Sequence, residues 1–300
     1  MARSPALLFL ALAACSPRPP AGGVSITDDW GRTVALGAPA RRVVSLSPSS
    51  TEILFAIGAG PRVVGRTRWD DYPPAARAVA DVGDGLAPNV EAVAALRPDL
   101  VVLYASASNR AAVRGLAALR IPVAVLKLDL AADVGRAAYR LGVLTGTVAG
   151  ADSVMAGFAD SLRALAARVA RRPGPRPRVY VDVQASPPIT VGTGSYLSEL
   201  LAAAGAANVF GDVGLPSAPV SLETIARRDP DAVLVLAADT LHPPDPAVRP
   251  GWRAVRAVRE GRVLAVDGGL YGRPGPRMPL AAADLARRLA RLEAGAGAAR

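Results

Sequence analysis

Histidine and cysteine are almost missing from these 300 residues, with His242 and Cys15 the sole example of each. One histidine leaves a serine or cysteine triad, or a histidine-built metal cluster, almost nothing to work with. His242 itself stands in the proline-rich LHPPDP and reads as a surface residue. A single cysteine permits no internal disulfide. Aromatics make up 4% of the chain, and Lys127 is its one lysine, so the net charge of +10 comes from arginines scattered among alanines and prolines. No basic run is interleaved with aromatics, which favours a solvated surface over a nucleic-acid-binding stripe. The Lys-Ser/Thr of a nucleotide-phosphate loop and the Gly-x-Ser-x-Gly of a nucleophile elbow are also lacking. GTGSYL begins like a dinucleotide fingerprint at Gly192 and Gly194 but has Leu197 where the third glycine belongs, so a loop capping the helix after Ser195 is the better account. The neighbouring carboxylates Asp70 and Asp71 cannot be told from solvated loop charge.

What is present is a chain with 51% hydrophobic and 20% charged residues, long enough for about two domains with proper cores. It opens with MARSP, a short apolar ALLFLALAA and then Cys15. That stretch is below the roughly 20 residues of a spanning helix, so it reads as an export signal, and the Pro/Gly-rich run after it reads as a tether. Leu12-Ala13-Ala14-Cys15 resembles the lipobox of bacterial lipoproteins, which implies a lipid on Cys15 and a protein held at the membrane by that lipid alone, outside the cytoplasm.

Beyond the leader and tether of 1–23, short apolar runs alternate with alanine-rich helical stretches, the signature of a parallel sheet covered by helices. An N-terminal α/β lobe is expected over 24–146. A long stretch with apolar residues at helical spacing follows over 147–171 and ends in PGPRPR, which no helix can continue. The alternation then restarts, giving a C-terminal α/β lobe over 172–300. VEAVAALRPDLVVL from Val90 aligns without a gap on LETIARRDPDAVLV from Leu222, pairing Glu91 with Glu223, Pro98 with Pro230 and Asp99 with Asp231. This in-register match favours two equivalent lobes with a cleft between them. Helix capping or solvation accounts for Glu91 or Glu223 taken singly, but as a pair they would offer two negative points to a two-fold symmetric partner. At RVVSLSPSSTEILFAIGAG, an apolar strand breaks into a small polar turn and starts a helix at once. In α/β proteins ligands sit at such junctions, although for the junction taken alone Ser49 or Ser50 capping the helix, with Glu52 in its first turn, is the better account.

That junction, DDYPP at Asp70 to Pro74, NVEAVAALRPDLVV, APVSLETIARRDPDAVLV and GRPGPRM together resemble the periplasmic-binding-protein family that serves ABC importers of cobalamin, iron-siderophores and haem. The resemblance runs from Ile26 to the last helix. It implies two Rossmann-like lobes joined by a single long rigid helix, a ligand cleft between them, a modest opening motion, no catalysis and no cofactor. It further implies a monomer that delivers its ligand to a permease dimer with its ATPase, with Glu91 and Glu223 docking on permease arginines, one lobe on each subunit.

The SPSSTE junction followed by DYPP looks most like the cobalamin-binding branch. Carried over by residue, Pro48 and Ser49 would touch the ligand from the first turn with Trp69 beside them, Tyr104 would stack from the same lobe, and Tyr271 and Arg273 would face it from the other. Broad apolar faces with a few donors suit a corrin ring rimmed by amides. Ser217 departs from the pattern, standing where the best-known cobalamin binder has a tryptophan. An iron-siderophore or haem ligand is the alternative, with Arg273 and Arg277 supplying positive charge. A corrinoid-acting enzyme or sensor domain is a third reading, for which the sequence offers no identifiable acid, base or metal set.

Overall fold

The computed structural model describes residues 22–238, 241 and 244–298, so Cys15 and His242 lie outside the described residues. The first lobe opens on an antiparallel hairpin of β1 (Val24–Thr27) and β2 (Thr33–Leu36). A parallel sheet follows, built from β3 (Val43–Ser45), β4 (Val63–Arg66), β5 (Ala80–Asp81), β6 (Leu100–Tyr104) and β7 (Val123–Leu126) in the order β5-β4-β3-β6-β7. Its central strands are continuous apolar runs because both faces are covered: Val43, Val44 and Leu100 to Leu103 are all inaccessible to solvent. The covering helices are α1 (Pro48–Ala56), α2 (Val90–Ala95), α3 (Arg110–Ala118) and α4 (Ala131–Thr145). Strand order reverses beside β3, so the β3–α1 turn opens at the topological switch point of the sheet.

A 23-residue helix, α5 (Val148–Ala170), leads out of this lobe into the next. Its buried positions are Ala151, Phe158 and Leu165, spaced by sevens on one face. Ala151 belongs to the core of the first lobe, while Phe158 and Leu165 belong to the core of the second. One continuous helix is therefore packed into the cores of both lobes. Gly150 sits where α5 crosses the end of α1; a Cβ there would fall 2.2 Å from the carbonyl oxygen of Ile57.

The second lobe has a parallel sheet of β8 (Arg178–Asp182), β11 (Ala207–Asn208), β13 (Ala232–Ala237) and β14 (Val263–Asp267), ordered β11-β8-β13-β14. A small antiparallel sheet of β9 (Gln184–Ala185), β10 (Pro188–Val191) and β12 (Ser217–Pro219) sits at its edge. The helices are α6 (Tyr196–Ala203), α7 (Leu222–Arg228), α8 (Arg256–Arg259), the short α9 (Gly268–Tyr271) and α10 (Met278–Ala298). The aligned segments of the two lobes share their backbone. Asn89 caps α2 by accepting from the Ala92 N–H, and Ser221 caps α7 by accepting from the Thr224 N–H. Arg97 and Asp229 end those helices with positive φ, 48° and 44°. Asp99 then accepts from the Arg42 N–H at 2.9 Å, and Asp231 from the Arg178 N–H at 2.9 Å, each tying its turn to the start of the lobe's central strand. Among the described residues no helix is long and apolar enough to cross a membrane.

Candidate ligand cleft

Ser47 takes the N-cap position of α1 with extended backbone, and Pro48 is its first helical residue, where the fixed φ of proline suits a helix start. Ser49 and Ser50 therefore lie inside the first turn and are buried, which corrects the expectation that either caps the helix. Leu46, Ser47 and Pro48 form one side of a concavity of about 440 Å³, completed by Thr67, Trp69, Leu86 and Tyr104. Trp69 and Leu86 are 58% and 62% exposed, so two large apolar side chains stand open to solvent on one rim. Gly85 lets the segment 84–86 close against Leu46, since a Cβ there would fall 2.3 Å from the Leu46 carbonyl oxygen. Of the expected ligand contacts, Pro48, Trp69 and Tyr104 are brought together here, whereas Ser49 is buried and does not line the concavity.

Tyr104 is half-buried, and its hydroxyl donates to Asp129 Oδ1 at 2.5 Å. Burial first, then this carboxylate, raises the phenol well above the ordinary tyrosine range, so the ring is neutral and its edge is fixed. The Trp69 loop is fastened from below by Asp70. Its buried carboxylate accepts from the hydroxyls of Thr51, at 2.5 Å, and Thr67. Burial pushes Asp70 above the usual carboxylate range despite these hydrogen bonds.

The other lobe does not meet the expectation for Tyr271. Only 1% exposed, it packs in the second lobe's core and donates its hydroxyl to Asp284 Oδ2 at 2.7 Å. The glycines around it make a turn of helix that directs the ring inward. Arg273 and Arg277 lie at the junction of the lobes. Arg277 holds Glu52 with two parallel hydrogen bonds of 2.7 and 2.5 Å, donates to the Gly269 carbonyl at 2.8 Å, and stacks 3.8 Å from the centre of the Tyr72 ring. Arg273 donates to Asp71 and to the Trp69 carbonyl oxygen. Burial opposes charge at Asp71, yet Arg273 holds its carboxyl below the usual range. Glu52, read from the sequence as a first-turn acid, is instead the fifth residue of α1 and buried; the apolar run ILFAI beside it was a signal that its charge requires a partner, whereas the partner, 225 positions away, left none.

The lobes also touch where Glu199 of α6 accepts from the Ala131 N–H at the start of α4 and the Tyr196 N–H donates to the Asp129 carbonyl. A smaller space of about 210 Å³ lies between Asp129 of one lobe and Ser195, Pro216 and Pro274 of the other. Ser217, next to Pro216, is exposed on β12. Glu91 and Glu223 are exposed in the first turns of α2 and α7. A larger concavity of about 580 Å³ lies by the PGPRP segment and α10, away from the strand ends that position the cleft.

Two α/β lobes spanned by one helix, with a partly aromatic concavity at the strand ends of the first lobe, have the build of a binding protein for a small molecule. Residues 43–268, well over half of the chain, match the family described as "Periplasmic binding protein", and the chain belongs to that family, whose members are the substrate-binding proteins of ABC importers. It is 27% identical over 270 residues to a vitamin B12-binding protein of Pectobacterium carotovorum, covering 89% of this chain and 95% of that one. It is 31% identical over 284 residues to a cobalamin-binding protein of Halobacterium salinarum, covering 88% and 76%. The crystal structure of a periplasmic heme-binding protein from Pseudomonas aeruginosa superposes with a TM-score of 0.73 at 26% identity, covering 82% of this chain and 91% of that one.

Proposed function

We propose that the protein captures cobalamin or a related corrinoid in the interlobe cleft and delivers it to the permease dimer of an ABC importer. The observation that carries this reading is the wall of Pro48, Trp69, Leu86 and Tyr104 around an open, mostly apolar concavity, which suits a large ring with an amide-studded rim. The vitamin B12- and cobalamin-binding relatives support it. A second reading, haem or a ferric siderophore, draws support from the heme-binding neighbour. The charge expected to serve such an anion is already committed, since Arg273 and Arg277 are paired with Asp71 and Glu52.

The deciding experiment is a thermal-shift screen of residues 16–300 with cyanocobalamin, haemin and ferrichrome. A ligand at one hundred times its dissociation constant adds about 2.7 kcal/mol of stability. A clear shift with ferrichrome or haemin and none with cyanocobalamin would refute the corrinoid assignment. Trp69→Ala should weaken binding by about 1 to 3 kcal/mol, roughly 5- to 150-fold, because it removes a broad apolar face. It should leave the melting temperature alone, since the side chain is 58% exposed. Calorimetric titration beside a melting curve checks both halves, and parent-like affinity would move the site elsewhere. Tyr271→Ala is no test of the cleft, because it would open the core.

The lipid belongs to the same proposal. Cys15→Ala should release the protein from the membrane fraction or stall its processing; unchanged fractionation of that variant would rule the anchor out.

A further inference from the structure

Trp69 is held from two sides, and the second belongs to the other lobe. From its own lobe, Asp70 clamps the loop to α1 through Thr51 and to the end of β4 through Thr67. From across the junction, Arg273 donates to the Trp69 carbonyl oxygen at 2.8 Å and to the Asp71 carboxylate, more than two hundred positions earlier in the chain. Its Nη1 also lies 3.6 Å from Glu52 Oε1, which is itself held by Arg277. The Arg273 side chain is only 17% exposed, and these contacts turn its guanidinium toward the Trp69 loop.

We infer that Arg273 is a positioning residue, not a ligand contact: it grips the Trp69 carbonyl and, two residues on, the Asp71 carboxylate, so that apposition of the lobes and presentation of the indole to the cleft are one event. The planar fork of arginine is what allows one side chain to serve a carbonyl and a carboxylate at once; lysine, a single point charge on a flexible stem, cannot reproduce both bonds. Asp71 is the electrostatic half of the grip and the Trp69 carbonyl is the geometric half. The inference rests on the proposal that Trp69 lines the ligand site, but the grip itself is testable without ligand.

The protein labelled with 5-fluorotryptophan contains three reporters, Trp30, Trp69 and Trp252, and Trp69→Phe assigns the one of interest. In ligand-free protein, Arg273→Ala and Arg273→Lys should both shift and broaden the Trp69 fluorine resonance, and Asp71→Asn should do so to a lesser degree. The Trp30 and Trp252 signals should stay in place, which excludes general unfolding. With cyanocobalamin or haemin, whichever binds the parent, Arg273→Ala should weaken affinity by on the order of tenfold. The same change made on top of Trp69→Ala should cost almost nothing more, because a residue that acts through Trp69 has nothing left to position. An unmoved Trp69 resonance overturns the inference, as do losses that add in the double variant, which would make Arg273 a ligand contact. If neither probe binds the parent, the ligand assignment fails while the fluorine spectra still decide the grip.

Discussion

Arg277→Ala should destabilise the protein by about 3 to 5 kcal/mol, the range for stripping a partner from a buried ion pair. Glu52 is 2% exposed and sits in a helix whose residues from Ser49 to Leu54 are all buried, so without Arg277 its charge has no water to turn to. Burial works against the charge on Arg277, but the hydrogen bonds and charge of Glu52 prevail and raise its pKa further, so Arg277 keeps its charge at the junction. The variant also loses the bond to the Gly269 carbonyl and the stack on Tyr72. Arg273, 3.6 Å from Glu52, offers partial relief and places the loss toward the lower end of that range. Against a typical total of about 5 to 15 kcal/mol, this is a large share. Urea denaturation of ligand-free protein measures it. Removing both charges with Glu52→Leu and Arg277→Leu should recover most of the loss, since replacing an intact buried pair by apolar groups is often close to neutral. An Arg277→Ala variant as stable as the parent would mean that the lobe junction contributes little to holding the fold.

The features legible in the sequence are those with a local period or a repeat. The two sheets follow from continuous apolar strands, and α5 from an apolar face that stops at PGPRPR. The equivalence of the lobes was visible in the aligned Glu, Pro and Asp of two segments, and it extends to matched caps and matched positive-φ helix ends. Trp69 was legible because its neighbours are polar. Tyr271 was not: a tyrosine among glycines looks like an exposed loop residue, and only the docking of α9 on α10 turns it to Asp284. Nor were the partners of Arg273 and Arg277, because a contact between lobes joins residues more than two hundred positions apart and leaves no spacing to read. The cap of α1 could have been found, since Ser47 directly before Pro48 is the usual order at a helix start.

Reversing both Glu91 and Glu223 to arginine should abolish uptake in cells while leaving ligand affinity in the purified protein unchanged. Each glutamate is the second residue of its helix, after the caps Asn89 and Ser221, so the two occupy the same place on two similar lobes. Neither is needed for its own cap, because the bonds to the Ala92 and Thr224 N–H groups come from Asn89 and Ser221. Glu223 is 86% exposed, and its one recorded pairing among the described residues is with Arg227, a turn away at 3.3 Å. Such an exposed pair is worth only about 0.2 to 1 kcal/mol and yields readily to a competing arginine. On the proposed docking of each lobe on one subunit of a permease dimer, reversing either glutamate alone should reduce uptake only partly, because the other lobe would still engage its subunit. The double reversal removes both ends of one bivalent contact and sets two positive points against the arginines expected on the permease, so the loss should exceed the product of the single effects. The helices should tolerate it: a positive charge in the first turn costs about 0.3 to 1 kcal/mol through the helix dipole, too little to unfold either lobe. Uptake of labelled ligand by cells carrying the permease, measured beside calorimetric titration of the same variants, separates docking from binding. Uptake that survives the double reversal would defeat the docking role, and a parallel loss of ligand affinity would assign the two glutamates to the structure of the lobes.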